Sequence, residues 1–257
     1  MGITGRRTAC AALLVAALLA WTVACGAPER GQRRAGSAAA AADFESAAPY
    51  QSEVEEGLGV ALAILVDRSG SMAKPAPGDG RPKYRIAQEA LEAMLDATDA
   101  FVAKRPNFPI KIGVFSFSSG VETALPIQAY DRTAVRRALA SIPGPGGGTA
   151  IGDAMRAARP ALYRSGVFRK FLLVVTDGEN TTGQSPDDVA RDIFRKSEGA
   201  VQVYFVAFDT SPEKFAFLKD VGGDVLGAGN GAELRQALDA VYQGKILAEA
   251  PGAERIK

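Results

Sequence analysis

Three segments of this chain carry hard oxygen atoms in a pattern that could do chemistry. Asp67-Arg-Ser69-Gly-Ser71 follows an apolar run, Gly146-Gly-Gly-Thr149 ends a glycine-rich loop, and Thr176-Asp177-Gly178 closes a second apolar run. Together they offer the carboxylates of Asp67 and Asp177 and the hydroxyls of Ser69, Ser71 and Thr149. Such oxygens suit Mg²⁺, Mn²⁺ or Ca²⁺ rather than a soft metal. A set with so few anions, and without His or Cys, suits an ion that keeps water and an open coordination position.

The elements around these segments must bring them together. Val60–Val66 is continuously apolar, as expected for a strand covered on both faces. Phe171–Thr176 and Val201–Phe208 repeat the pattern, and aspartates follow all three runs, at positions 67, 177 and 209. Between the runs lies an amphipathic helix over 85–102, with Ile86, Ala90, Leu91, Met94, Leu95 and Phe101 on one face. Ile110–Phe117 and Val121–Leu125 flank a Ser-Ser-Gly turn and predict a hairpin. Asp131 is suited to cap a helix reaching Ser141. Further helices are predicted over 151–164, after Ser185-Pro186, and near 212–221 and 232–242, with a short strand near 224–226. The alternation predicts an α/β domain: a doubly wound, mainly parallel open sheet with one antiparallel edge strand and helices on both faces. Ligands of such sheets bind at the carboxyl ends of the strands, where the three aspartates fall. Asp153 and Asp209 lie near that edge and read as helix caps or solvent-facing groups, with support of the ligand residues from behind as the alternative. Gly178, Glu179 and Asn180 shape the third loop.

Composition narrows the chemistry. The hydrophobic fraction of 47% is ample for a core, histidine is absent, and the only cysteines are Cys10 and Cys25, ahead of the expected domain. His-dependent triads, zinc sites built on His or Cys, and imidazole acid–base chemistry are therefore excluded. Arg6 and Arg7 precede an uncharged run over 8–24, short for a membrane span and laid out like a secretory signal. The run ends in Thr22-Val-Ala-Cys25-Gly26, which resembles the lipobox of bacterial lipoproteins. That resemblance implies cleavage after residue 24, lipid on Cys25, and a folded part with neither thiol nor disulfide. The expected organisation is a signal over 1–24, a lipidated N-terminus and flexible tether over 25–58, a domain over 59–243 and a tail over 244–257. A flexible coil of roughly 30 residues would span about 30 Å. The mature charge balance lacks the concentrated basic face that nucleic acid wants.

Asp-x-Ser-x-Ser at 67–71, Gly-Gly-Thr at 147–149 and the strand-final Thr-Asp-Gly at 176–178 occur in the order found in the von Willebrand factor type A domain family, and residues 59–243 resemble that family. The resemblance implies a metal-ion-dependent adhesion site. Ser69, Ser71 and Thr149 would contact a divalent ion directly, Asp67 and Asp177 directly or through water, and a partner's acidic side chain would take the remaining position. Mg²⁺ is the expected ion, with Mn²⁺ or Ca²⁺ possible alternatives. The expected protein is therefore no enzyme. It is a binding module held by lipid on the extracytoplasmic face of a bacterial envelope, capturing an Asp or Glu of a protein partner. Two alternatives stand beside it: a metal-assisted hydrolase acting on a phosphate or ester, whose only general bases would be Asp or Glu, and a structural lipoprotein with an idle site. Ser71-Met-Ala-Lys74 matches the Ser-x-x-Lys nucleophile motif, but Pro75 disfavours the helix that chemistry needs, and the companion motifs are absent.

Overall fold

The computed structural model describes residues 57–248; the expected signal, Cys25 and nearly all of the tether lie outside the described residues, as does 249–257. Strands β1 (Gly57–Asp67), β2 (Ile110–Phe117), β3 (Val121–Ala129), β4 (Val167–Thr176), β5 (Val201–Phe208) and β6 (Asp224–Ala228) form one six-stranded sheet in the order β3-β2-β1-β4-β5-β6. Every pairing is parallel except β2 with β3. The predicted doubly wound sheet with an antiparallel edge is thus observed.

Five helices cover it: α1 (Lys83–Lys104), α2 (Arg132–Ser141), α3 (Ile151–Tyr163), α4 (Pro186–Lys196) and α5 (Gly231–Val241). Leu62, Ile64 and Val66 of β1 join one core with Leu91, Met94 and Leu95 of α1 and Leu234 and Leu238 of α5. Alternation along the strand sends Ala61, Ala63, Leu65 and Asp67 to the other face. On that face α3 and α4 are tied by Arg159, which donates to the buried Asp192 at 2.5 Å. The order of connections reverses between β1 and β4, because β1 continues outward to β2 while β4 continues to β5. The crevice beyond their carboxyl ends is the topological switch point where open α/β sheets bind ligands.

Several elements differ from expectation for physical reasons. β3 runs on to Ala129 through Pro126, which an edge strand tolerates because its missing N–H faces no neighbour. β4 begins at Val167, and Arg169 and Lys170 interrupt the apolar signal there. Residues Pro212–Val221 are 3₁₀ with a break at Phe215 rather than a regular helix. Beyond α5 the chain continues as a π-helical turn over Tyr242–Leu247, with Ile246 and Leu247 buried in the core. Ordered structure therefore passes the expected domain end at residue 243.

Candidate metal centre

The end of β1 turns sharply into a 3₁₀ turn over Gly70–Ala73. Asp67 is fully buried and organises that turn. Its Oδ1 accepts the Ser69 backbone N–H at 2.7 Å, and its Oδ2 accepts the Thr176 hydroxyl at 2.6 Å. Asp67 thereby joins the loop after β1 to the end of β4. Burial pushes its carboxyl up to about 6, although the hydrogen bonds from Thr176 and Ser69 pull the other way.

From there a chain of hydroxyls crosses the crevice. Ser69 Oγ and Ser71 Oγ lie 3.0 Å apart, and Ser71 Oγ donates to Asp177 Oδ1 at 2.6 Å. Since the Ser71 proton goes to Asp177, Ser69 is the donor to Ser71. Both hydroxyls keep lone pairs for another acceptor of electron density.

The glycine loop is fastened to the same turn. Gly70 N donates to Gly147 O at 3.0 Å, and Gly146 N donates to Arg68 O at 2.7 Å. Gly147 has φ +80°, and a Cβ there would meet Ser119 Oγ at 2.8 Å, so both backbone conformation and space require glycine. Thr149 follows, buried, at the entry to α3. Its backbone N–H donates to Thr181 Oγ1 at 2.8 Å, and its carbonyl accepts from Thr181 N and Thr182 N. Asn180 supplies the cap that α3 lacks locally: its Oδ1 accepts from Ile151 N at 2.7 Å and Gly152 N at 3.4 Å. The third loop thus positions the second.

Of the five predicted residues, Asp67, Ser69, Ser71 and Asp177 are joined by hydrogen bonds directly or through Thr176. The Thr149 hydroxyl bonds to none of them, but its loop is pinned to Gly70. Among the described residues no three His, Cys, Asp or Glu side chains gather as they would around a softer or more heavily charged site. The oxygens nonetheless fit a small hard ion. Neighbouring ligands of an octahedral ion at about 2.1 Å lie about 3.0 Å apart, and the serine hydroxyls have that spacing.

One residue of the site escaped sequence reasoning. Lys83, at the start of α1, places Nζ 2.8 Å from Asp177 Oδ2 and 2.7 Å from Asp209 Oδ2. Its side chain is only 6% exposed and that of Asp177 not at all. Burial alone would lower the lysine pKa, but the two carboxylates outweigh it and hold the ammonium above the ordinary lysine value. Asp209, expected to cap a helix or face solvent, takes the alternative role of supporting a ligand residue from behind, as an ion-pair partner of the Lys83 that holds Asp177. Asp153 accepts from Gln184 N at 3.2 Å and braces the third loop. Lys74 is exposed and is not a partner of Ser71 on a helix face. Around the rim, Arg68 pairs with Glu122 and Glu179 with Lys214.

The family profile described as von Willebrand factor type A domain matches residues 62–180. Solved structures share the fold. A von Willebrand factor type A protein from Catenulispora acidiphila superposes with a TM-score of 0.57 at 22% identity, covering 71% of this chain and 41% of that one. BatB from Bacteroides thetaiotaomicron gives 0.54 at 22% identity, covering 72% and 100%. Proximal thread matrix protein 1 of the mussel byssus, with its MIDAS motif occupied by zinc, gives 0.57 at 21% identity, covering 73% and 48%. The collagen alpha-1(XII) chain of Notophthalmus viridescens is 24% identical over 169 residues, 63% of this chain and 16% of its own length, so this chain spans about a sixth of that relative.

Proposed function

The chain belongs, through residues 62–180, to the von Willebrand factor type A domain family, and from that premise we propose that it is a cation-dependent binding module. Asp67, Ser69, Ser71, Thr149 and Asp177 would hold a divalent ion, Mg²⁺ for preference, and the ion would accept a carboxylate from an Asp or Glu of a protein partner. The observation that carries this reading is the hydrogen-bonded series in which Asp67 accepts the Ser69 backbone N–H and the Ser69 and Ser71 hydroxyls lead on to Asp177. The hydroxyls are neutral, so an ion resting on them keeps much of its charge for an incoming anion. Zinc in the corresponding motif of the mussel protein supports the site class, though not the choice of Mg²⁺. Turnover is no part of this reading, because the chain has no histidine and its two cysteines, at 10 and 25, lie ahead of the domain.

The proposal extends to location. Cys25 would carry lipid, and the segment up to residue 58 would tether the module to the outer face of a bacterial membrane. Labelled fatty acid should enter the full chain expressed in a bacterium and be lost in Cys25→Ser. The central test is a calorimetric titration of Mg²⁺ and Mn²⁺ into the protein beside Asp67→Ala and Thr149→Ala, with and without acetate as the partner's stand-in. Saturable binding that both variants lose supports the proposal. A folded wild type that binds neither ion, even with acetate, refutes it.

A further inference from the structure

We propose that Lys83 is a built-in counter-charge that sets how tightly and how selectively the site holds its cation. The inference rests on the cation-binding reading above and adds a residue and a selectivity to it.

Lys83 is in an unfavourable place for a lysine. It opens a 22-residue helix whose first turn carries no acid, so its charge faces the positive end of the helix dipole. It is also buried, which is unfavourable for an ammonium unless it is paired. Both penalties are met by two carboxylates from different strand ends, Asp177 after β4 and Asp209 after β5. Asp209 reaches the lysine from a left-handed backbone, φ +52°, a conformation that costs a non-glycine residue energy and persists only where its surroundings enforce it. The backbone of Lys83 is fixed as well, its N–H donating to Lys74 O at 3.0 Å. A charged, doubly paired, doubly anchored group has thus been installed against the third loop.

Its effect follows from which atoms it touches. Asp177 has two oxygens: Oδ1 accepts from Ser71 and faces the serines, while Oδ2 accepts from Lys83. The ammonium holds Oδ2 away from any ion and cancels much of the carboxylate's charge. Asp177 cannot then act as a bidentate ligand. Ca²⁺, which takes six to eight oxygens and welcomes bidentate carboxylates, loses more by this than Mg²⁺ or Mn²⁺. The same loss of negative charge leaves the ion weakly held until an external carboxylate completes it. Lys83 therefore makes cation binding conditional on the partner.

The test titrates Mn²⁺ and Ca²⁺ into wild type, Lys83→Gln, Lys83→Arg and the double variant Lys83→Gln/Asp209→Asn, each with and without acetate, with circular dichroism to verify folding. The double variant removes one charge of each sign and serves if the single one unfolds. Removing the ammonium should tighten Mn²⁺ binding without acetate about tenfold or more. It should also shrink the gain from acetate and move the Ca²⁺-to-Mn²⁺ affinity ratio toward Ca²⁺, whereas Lys83→Arg should stay near wild type. A merely structural lysine would not move that ratio. Folded glutamine variants with wild-type Mn²⁺ affinity, acetate gain and ion ratio overturn the inference while leaving the cation site standing. If neither wild type nor variants bind either ion with or without acetate, the proposed function falls and this inference with it. Binding by the variants alone would mean that the native site holds no ion, and the proposed function and this inference fall together.

Discussion

The buried carboxylate of Asp67 should make the cation-free domain less stable at neutral pH than in mild acid. Its pKa rises from 3.8 to about 6 on folding, so the folded state holds this proton more tightly than the unfolded chain does. The group's contribution is fully present below about 3.8, declines as pH rises toward 6, and is gone above it. At about 1.4 kcal/mol per pH unit the full effect is about 3 kcal/mol, and about 2 kcal/mol of it falls between pH 4.5 and 7.5. Full burial means solvent screening does not dilute this figure. The assay is urea unfolding in chelator at a series of pH values, comparing wild type with Asp67→Asn, which keeps the shape and cannot titrate. The wild type should lose about 2 kcal/mol relative to the variant across that window. Saturating Mg²⁺ should restore the loss in the wild type alone, because a cation compensates the ionised carboxylate. A pH-independent difference between the two proteins would refute the reasoning.

The loops that shape the site give three more expectations. Asn180→Ala removes the cap from α3 and the amide bonds to Thr182 O and Gln184 O; chemical denaturation should show a loss of about 1–2 kcal/mol, together with weaker Mg²⁺ binding. Gly152→Ala would put a Cβ 2.2 Å from Gln184 O, and the forced backbone shift should cost about 2 kcal/mol or more by the same measurement. Thr98→Val, toward the far end of α1 from Lys83, strips the buried Tyr242 hydroxyl of its 2.6 Å partner. It should lower stability by about 1–3 kcal/mol while leaving the Mg²⁺ titration unchanged, which separates damage to the core from damage to the site.

Much of the fold was legible because both-face burial of parallel strands leaves continuous apolar runs, and β5 matches its run from Val201 to Phe208. The oxygen cluster was legible because the strand ends repeat an aspartate beside hydroxyls. Lys83 was hidden for two reasons. A lysine just before an amphipathic stretch reads as solvent-facing, and its partner Asp177 lies 94 positions away. Asn180 posed a similar problem, since a helix cap is sought in the residue just before the helix, and this one arrives from 29 positions downstream. The π-helical turn after α5 is silent in local pattern, because Gly244 and Lys245 mask the burial of Ile246 and Leu247 in the core. Local pattern encodes each element, but contacts between loops far apart in sequence exist only once the sheet has formed.

The direction of β1 has a mechanical consequence. The chain enters this strand at Gly57 and delivers Asp67 to the crevice, so entry point and binding edge lie at opposite ends of one central strand, roughly 33 Å apart. A pull between whatever precedes Gly57 and whatever grips the crevice runs along that strand. Val60–Asp67 is bonded in parallel register to Ile110–Phe117 on one side, and Val60–Val66 to Arg169–Val175 on the other. Traction therefore loads both ladders in shear, with many hydrogen bonds sharing the force at once, instead of peeling them one by one from an edge. The strand that carries the Asp67 turn is also the tendon of the domain.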